Sequence, residues 1–148
     1  MLKNSLNYYD YPMSSDIRGS NMGAKKVLVV DDNEDIRNLI SIILTGESYD
    51  VLAVESGTQA LEIYTEFKPD LILLDIMMPG ISGFEVLEKI RDIRSSKLNS
   101  VPIVMITAKS LTDDIDRAIK LGATSYIVKP FRAESLKQKV IENLTSNE

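Results

Sequence analysis

Neither cysteine nor histidine occurs in this chain of 148 residues. The lack of cysteine excludes disulfide bonds, thiol nucleophiles and zinc–thiolate sites. The lack of histidine excludes imidazole acid–base catalysis and imidazole metal ligands. Any metal site in this protein must therefore be built from oxygen ligands.

Long apolar runs and an excess of basic residues are also missing. No stretch approaches the roughly eighteen apolar residues of a membrane span, and the polar N-terminus lacks the layout of a secretion signal. The net charge of −5 leaves no basic surface for nucleic acid. We therefore expect a cytoplasmic protein that binds neither a membrane nor nucleic acid directly.

The length of the chain suits one domain with a substantial core. Residues 1–24 are polar and show no sustained period, so we interpret them as a disordered N-terminal extension or an added leader sequence. The folded domain is predicted over residues 25–145. Since the last predicted helix ends near Leu144, we expect no output domain after it.

Short apolar runs alternate with amphipathic segments from residue 25 onward. The runs are typical of strands buried on both faces of a parallel sheet, and they are predicted at Lys26–Val30, Asp50–Val54, Leu71–Leu74, Pro102–Ile106 and Ser125–Val128. Each run is followed by apolar residues with the 3.6-residue period of a helix; the third of these helices is predicted to reach Ile93. The pattern predicts an α/β fold of (βα)5 type, a doubly wound, five-stranded parallel sheet with helices on both faces.

Polar residues stand at the carboxyl ends of four predicted strands, where such folds bind ligands. They are Asp31 and Asp32, Asp75, Thr107 and Lys129. Carboxylates brought together repel one another and require a cation, and an all-oxygen site selects Mg²⁺, with Mn²⁺ as an alternative. With a hydroxyl and an ammonium beside them, they would suit phosphoryl transfer by charge and positioning.

Each of these residues also has a simpler interpretation when it is taken alone. Asp75 precedes a Pro-Gly turn and could be a turn former, while Thr107 could bond its own backbone. Lys129 could be a solvated surface amine. The simpler interpretations do not explain why all of these residues lie at the same end of different strands, so a shared site is favoured.

Four segments closely resemble the receiver domains of bacterial-type response regulators: VLVVDDNEDIR, PDLILLDIMMPGISGFEVLEKIR, PIVMITAKS and GATSYIVKPF. The resemblance runs from about Lys25 to Leu144 and implies the flavodoxin-like fold of the CheY-like family. It implies that Asp75 is the phosphoacceptor. Mg²⁺ would be bound by Asp32, by Asp75, by Asp31 mostly through water, and by the backbone carbonyl of Met77.

The resemblance also assigns roles on the other side of the site. Lys129 would contact the phosphoryl group, with a cis peptide bond before Pro130. Thr107 and Tyr126 would form a switch pair, in which the hydroxyl turns toward the phosphoryl group and the ring rotates inward. Ala108 would leave the phosphoryl site open.

The implied partners are a sensor histidine kinase or a histidine phosphotransfer protein, and a downstream protein target. The target would bind the face made by the fourth predicted helix, the fifth strand and the fifth helix. The protein would act as a monomer or a phosphorylation-dependent dimer, and catalyse only its own phosphorylation and dephosphorylation. Thr124-Ser125 stands where winged-helix regulators usually carry an acidic pair, which disfavours a dimer of their type.

Other functions stay open as alternatives. A phosphorylation-independent receiver-like interaction module would be expected to lose one of the site residues, and none is lost. A receiver domain isolated from a longer multidomain regulator would have the same sequence. A phosphatase of the haloacid dehalogenase type would need a second carboxylate two residues after Asp75, where Met77 stands. The absence of G-x-x-x-x-G-K and G-x-G-x-x-G argues against a nucleotide-binding switch.

Overall fold

Five parallel strands form a single sheet in a computed structural model of the protein, which describes residues 23–108 and 112–145. The strands are β1 (Lys26–Val30), β2 (Asp50–Val54), β3 (Leu71–Asp75), β4 (Ile103–Thr107) and β5 (Ser125–Val128). Their order across the sheet is β2-β1-β3-β4-β5. The predicted doubly wound fold is confirmed. Residues 1–22 of the predicted N-terminal extension lie outside the described residues.

Six helices connect or follow the strands within the described ranges. They are α1 (Glu34–Thr45), α2 (Gly57–Phe67), α3 (Gly83–Arg91), α4 (Ser96–Asn99), α5 (Thr112–Lys120) and α6 (Ala133–Thr145). Helix α4 was not predicted, because four residues are too few to show a 3.6-residue period. The third helix ends at Arg91 and does not reach Ile93. The fourth and fifth predicted helices are therefore α5 and α6.

Apolar side chains cover both faces of the sheet. In β1, Val27 and Val29 pack with residues of α1 and α6, whereas Leu28 and Val30 pack with residues of α2 and α3. Full burial of such an aliphatic side chain stabilises the fold by about 1.5–3 kcal/mol. Within the described ranges, no helix is long and apolar enough to cross a bilayer.

The strand order reverses around β1, which has β2 on one side and β3 on the other. The chain winds to opposite faces of the sheet from this point. The loops that follow β1 and β3 consequently diverge and leave a crevice at the carboxyl edge. This crevice is where the acidic residues predicted from the sequence lie.

Candidate functional site

Three aspartates converge in this crevice. Asp75 is the last residue of β3, and only 7% of its side chain is exposed. Asp31 directly follows β1 and is fully buried, while Asp32 beside it is exposed. One carboxylate oxygen from each of the three lies within 4.8 Å of the other two. The topology thus brings Asp75 close to Asp31 and Asp32, although 43 positions separate Asp32 from Asp75 in the sequence.

The loop after β1 is fixed by a set of hydrogen bonds to Asp31. Its backbone N–H donates to the Val54 carbonyl at 3.2 Å. Its Oδ1 accepts a hydrogen bond from the Asn33 N–H at 2.9 Å. The Arg37 guanidinium donates through Nη1 to the Asp31 carbonyl oxygen, also at 2.9 Å. Asn33 then caps α1 by accepting from the Ile36 N–H, so the acidic loop and the helix start are held as one unit.

Lys129 provides the positive charge of the site. Its Nζ lies 2.8 Å from Asp31 Oδ2 and 3.7 Å from Asp75 Oδ1. The contact with Asp31 is an ion pair and not a well-directed hydrogen bond. A hydrogen bond of 2.7 Å from the Lys129 N–H to the Thr107 carbonyl ties this residue to the end of β4. One ammonium therefore stands against three carboxylates.

The other residues predicted for the site differ in their exposure to solvent. Thr107 is the last residue of β4 and is buried, whereas Ala108 after it is exposed. Tyr126 pairs in register with Met105, and 39% of its surface is exposed. The Lys129–Pro130 peptide bond is cis. The Met77 side chain is 70% exposed, and its backbone hydrogen-bonds to Asp75.

The environment of Asp75 raises the pKa of its carboxyl group to about 7. Burial is the largest cause, followed by the charge of Asp31, while Lys129 acts in the opposite direction. The carboxylate form of Asp75 is thus poorly stabilised by the protein's own groups. A site with this deficit of positive charge fits a divalent cation, and its oxygen-only ligands fit Mg²⁺.

This raised pKa predicts how stability depends on pH when no divalent cation is present. The carboxyl group of Asp75 loses its proton near pH 3.8 in the unfolded chain but only near pH 7 in the folded protein. The free energy of unfolding therefore decreases as the pH rises from 3.8 to about 7. Partial solvent screening reduces the expected loss to about 1–2 kcal/mol relative to Asp75→Asn. Urea unfolding of both proteins in EDTA measures this difference, and parallel pH profiles would contradict the prediction.

Two residues that contribute to the site were not found from the sequence. Arg37 holds the acidic loop by donating to the Asp31 carbonyl oxygen, six positions earlier. Nothing in the sequence distinguishes this arginine from other arginines on helices. Gly83 begins α3, where an added Cβ would lie 2.2 Å from the Asp75 carbonyl oxygen. Its N–H donates to the Ile76 carbonyl at 2.9 Å. The sequence shows a glycine there, but only the packing shows why.

Comparison with known proteins identifies the class of this site. The family model of the response regulator receiver domain matches residues 27–141. The chain belongs to the response regulator receiver domain family. It is therefore a phosphoacceptor signalling module of two-component systems and not a conventional enzyme.

Individual relatives of this receiver domain agree with that assignment. The DNA-binding response regulator MtrA of Mycobacterium tuberculosis (strain ATCC 25618 / H37Rv) is 40% identical over 124 residues, which are 84% of this chain and 52% of MtrA. The chain thus spans about half the length of this curated relative. The structure of chemotaxis protein CheY4 from Vibrio cholerae is 32% identical, with a TM-score of 0.78 over 82% of this chain and 100% of CheY4.

A third relative bears on the metal. The receiver domain of the sensor histidine kinase PA1611 from Pseudomonas aeruginosa is 27% identical, with a TM-score of 0.75 over 83% of this chain and 99% of that domain. That structure holds a magnesium ion coordinated in its active-site cleft. Receiver domains bind Mg²⁺ there, and the cluster of Asp31, Asp32 and Asp75 provides suitable ligands in this one.

Proposed function

We propose that this receiver domain accepts a phosphoryl group on Asp75, in a Mg²⁺-dependent reaction, from the phosphohistidine of a sensor histidine kinase or a histidine phosphotransfer protein. The observation that carries the proposal is the convergence of a nearly buried Asp75 with two further carboxylates and the Lys129 ammonium. The proposed receiver unit comprises residues 25–145, preceded by an N-terminal extension at residues 1–24.

The chain's own residues divide the reaction among them. A carboxylate oxygen of Asp75 attacks phosphorus; a P–O bond forms, and the P–N bond to the donor histidine breaks. Lys129 lies 3.7 Å from Asp75 Oδ1 and neutralises a phosphoryl oxygen after a small movement. Thr107, at the end of the adjacent strand, donates its hydroxyl hydrogen to another phosphoryl oxygen. Positioning and charge account for the rate, because the protein needs no further covalent chemistry.

Asp32, Asp75 and the Met77 backbone carbonyl would hold Mg²⁺ directly, with Asp31 acting mostly through water; Mn²⁺ fits the same ligands. When bound, the ion supplies positive charge that offsets the carboxylates and the transferring phosphoryl oxygens. The Asp31 carboxylate is already engaged by Asn33 and Lys129, which supports the indirect role. The exposed Asp32 is better placed to exchange water for metal.

Phosphorylation would be signalled through the face formed by α5, β5 and α6. Thr107 turns toward the phosphoryl group, and Tyr126, now 39% exposed, moves into the space it leaves. A complete two-state shift of this kind requires about 5.5 kcal/mol of differential interaction. The face would bind a downstream protein target, with the receiver as a monomer or a phosphorylation-dependent dimer. We do not expect nucleic acid to bind this acidic region directly, although the longer MtrA is described as DNA-binding.

Incubation with Mg²⁺ and acetyl phosphate tests the proposal on the intact chain. We expect a mass gain of about 80 Da, that of one phosphoryl group, and no gain in EDTA. Absence of any gain while a protein partner still binds would favour the alternative of a phosphorylation-independent interaction module.

The exposed methionine beside the site predicts a long-lived phosphorylated form. An apolar side chain at Met77 cannot orient a water molecule for attack on the aspartyl phosphate, so hydrolysis should be slow. Met77→Asn adds an amide at this position and should shorten the lifetime several-fold. The decay of the phosphorylated mass after removal of acetyl phosphate measures both lifetimes. A parent lifetime equal to or shorter than that of Met77→Asn would show this reasoning to be wrong.

A further inference from the structure

A second cleft lies at the opposite edge of the sheet from Asp75. It has a volume of about 380 Å³ and is formed by residues that precede β1, β3 and β4, together with α4 and the end of α6. Volumes of this size accommodate small organic ligands. Because the strands are parallel, the whole length of the sheet separates this cleft from the acidic crevice. It therefore plays no direct part in phosphoryl transfer.

The cleft is basic on a protein that is acidic overall. Lys25, Lys68 and Lys97 line it, and among its lining residues Asp70 is the one acidic group. The Asp70 carboxylate is engaged by the Lys26 backbone N–H, which donates to Oδ2 at 2.8 Å. The net charge of the whole chain is −5. The lysines that line this concave surface outnumber its single carboxylate, which produces a local attraction for anions.

The rest of the lining is largely apolar. It comes from two prolines and three aliphatic residues: Pro69, Pro102, Leu98, Val101 and Leu144. Val101 and Leu144 are buried to more than nine-tenths, so they form a floor and not a rim. The Ser95 hydroxyl adds a polar group to the lining, since it makes no capping bond to α4. Apolar surface with a few polar groups is the usual composition of a small-molecule site.

The wall that contains α4 is held in place by side chains of the core helices. The buried Tyr64 hydroxyl of α2 donates to the Leu98 carbonyl. Arg91 donates through Nη1 to the Asn99 carbonyl at 2.7 Å, and the Asn99 amide donates to the Ile93 carbonyl at 2.9 Å. The cleft is consequently pre-formed, which lowers the cost of ordering it around a ligand.

The backbone at Lys68 is in a conformation that favours a different residue. Lys68 caps α2 with φ 52°, in the left-handed region where glycine is the usual residue. A side chain with a Cβ is less favourable than glycine in this region. The chain nevertheless places an ammonium group at this position, next to the rigid Pro69.

We infer that this cleft binds a small organic anion, a carboxylate or phosphate group attached to an apolar body. The lysines would contact the anionic group, and the floor formed by Val101 and Leu144 would contact the apolar part. The inference does not depend on the proposed phosphorylation of Asp75, because the two sites lie at opposite edges of the sheet.

Fluorescence titration of the full chain with 1-anilinonaphthalene-8-sulfonate tests the inference, because this probe joins an anion to an aromatic body. We expect saturable binding, with weaker binding of the neutral N-phenyl-1-naphthylamine. Lys68→Gln and Lys97→Gln should each reduce the affinity for the anionic probe about two- to fivefold. Lys89→Gln, on the exposed side of α3, is the matched control and should bind as the parent does.

Competition then identifies the anionic group. Displacement of the probe by phenyl phosphate indicates a phosphate ligand, and displacement by benzoate indicates a carboxylate ligand. The inference is overturned if neither competes, if the neutral probe binds equally well, or if the lysine variants match Lys89→Gln. Amide chemical-shift changes in the unaltered protein must also cluster at residues 95–102; changes confined to another surface would overturn it without any variant.

Discussion

Asparagine in place of Asp75 is expected to abolish phosphorylation completely. The variant keeps the shape of the side chain and removes the carboxylate that would attack phosphorus. The other two aspartates of the cluster cannot substitute easily: Asp31 is fully buried and engaged by Lys129, and Asp32 points from an exposed loop position. Intact mass after incubation with acetyl phosphate and Mg²⁺ measures the effect. We expect the gain of about 80 Da in the parent alone.

A matched control separates this result from a general loss of charge. Asp92 is exposed at the end of α3, and Asp92→Asn removes the same charge by the same chemical change. It should be phosphorylated as the parent is. Asp75→Asn should also remain folded and gain stability in EDTA, since it removes the carboxyl group whose pKa is raised by burial and by the charge of Asp31. Phosphorylation of Asp75→Asn at the parent level would mean that another residue is the acceptor.

Alanine in place of Gly83 is expected to damage both stability and the site. An added Cβ would lie 2.2 Å from the Asp75 carbonyl oxygen and 2.9 Å from the Ile76 Cα. Both are backbone atoms at the end of β3, so neither can rotate away. Relief of the clash must move the start of α3 from the strand, which should cost about 2–3 kcal/mol of unfolding free energy. A shift of about 1 Å at Asp75 would slow phosphorylation roughly 100-fold.

Gly46→Ala is the control for the loss of glycine as such. Gly46 has φ −61°, and the nearest atoms to its added Cβ are at 3.4 and 3.5 Å, which is ordinary contact. This variant should be neutral or stabilised by about 0.4–1 kcal/mol. Urea unfolding compares the three proteins, and acetyl phosphate labelling rates compare their sites. Equal stability of Gly83→Ala and Gly46→Ala would show that the start of α3 is not in close contact with the Asp75 backbone.

The two predictions test the chemistry of Asp75 and the positioning of Asp75 separately. Asp75→Asn removes a reacting group and leaves the backbone where it is. Gly83→Ala leaves the reacting group and moves the backbone that carries it. If both lose phosphorylation but only Gly83→Ala loses stability, chemistry and positioning at this site are separated experimentally.

The sequence by itself determined the architecture. Nearly all-apolar runs of four or five residues are typical of strands buried on both faces, so they indicate a parallel sheet between helices. The strands β1, β2 and β5 begin and end where predicted. The same reasoning set Asp75 just after the third strand, whereas the structure includes it as the last residue of β3. The aspartates, Thr107 and Lys129 were placed at one edge because parallel strands share their carboxyl ends.

Only the tertiary structure decided how these groups are arranged. The ion pair between Lys129 and Asp31, the raised pKa of Asp75 and the approach of Gly83 all depend on distances between residues far apart in sequence. The same holds for helix α4 and the basic cleft beside it, which form where three separate loops meet. A sequence pattern reports which face of an element is buried. It does not give the distances between buried groups, because those are set by packing across the sheet.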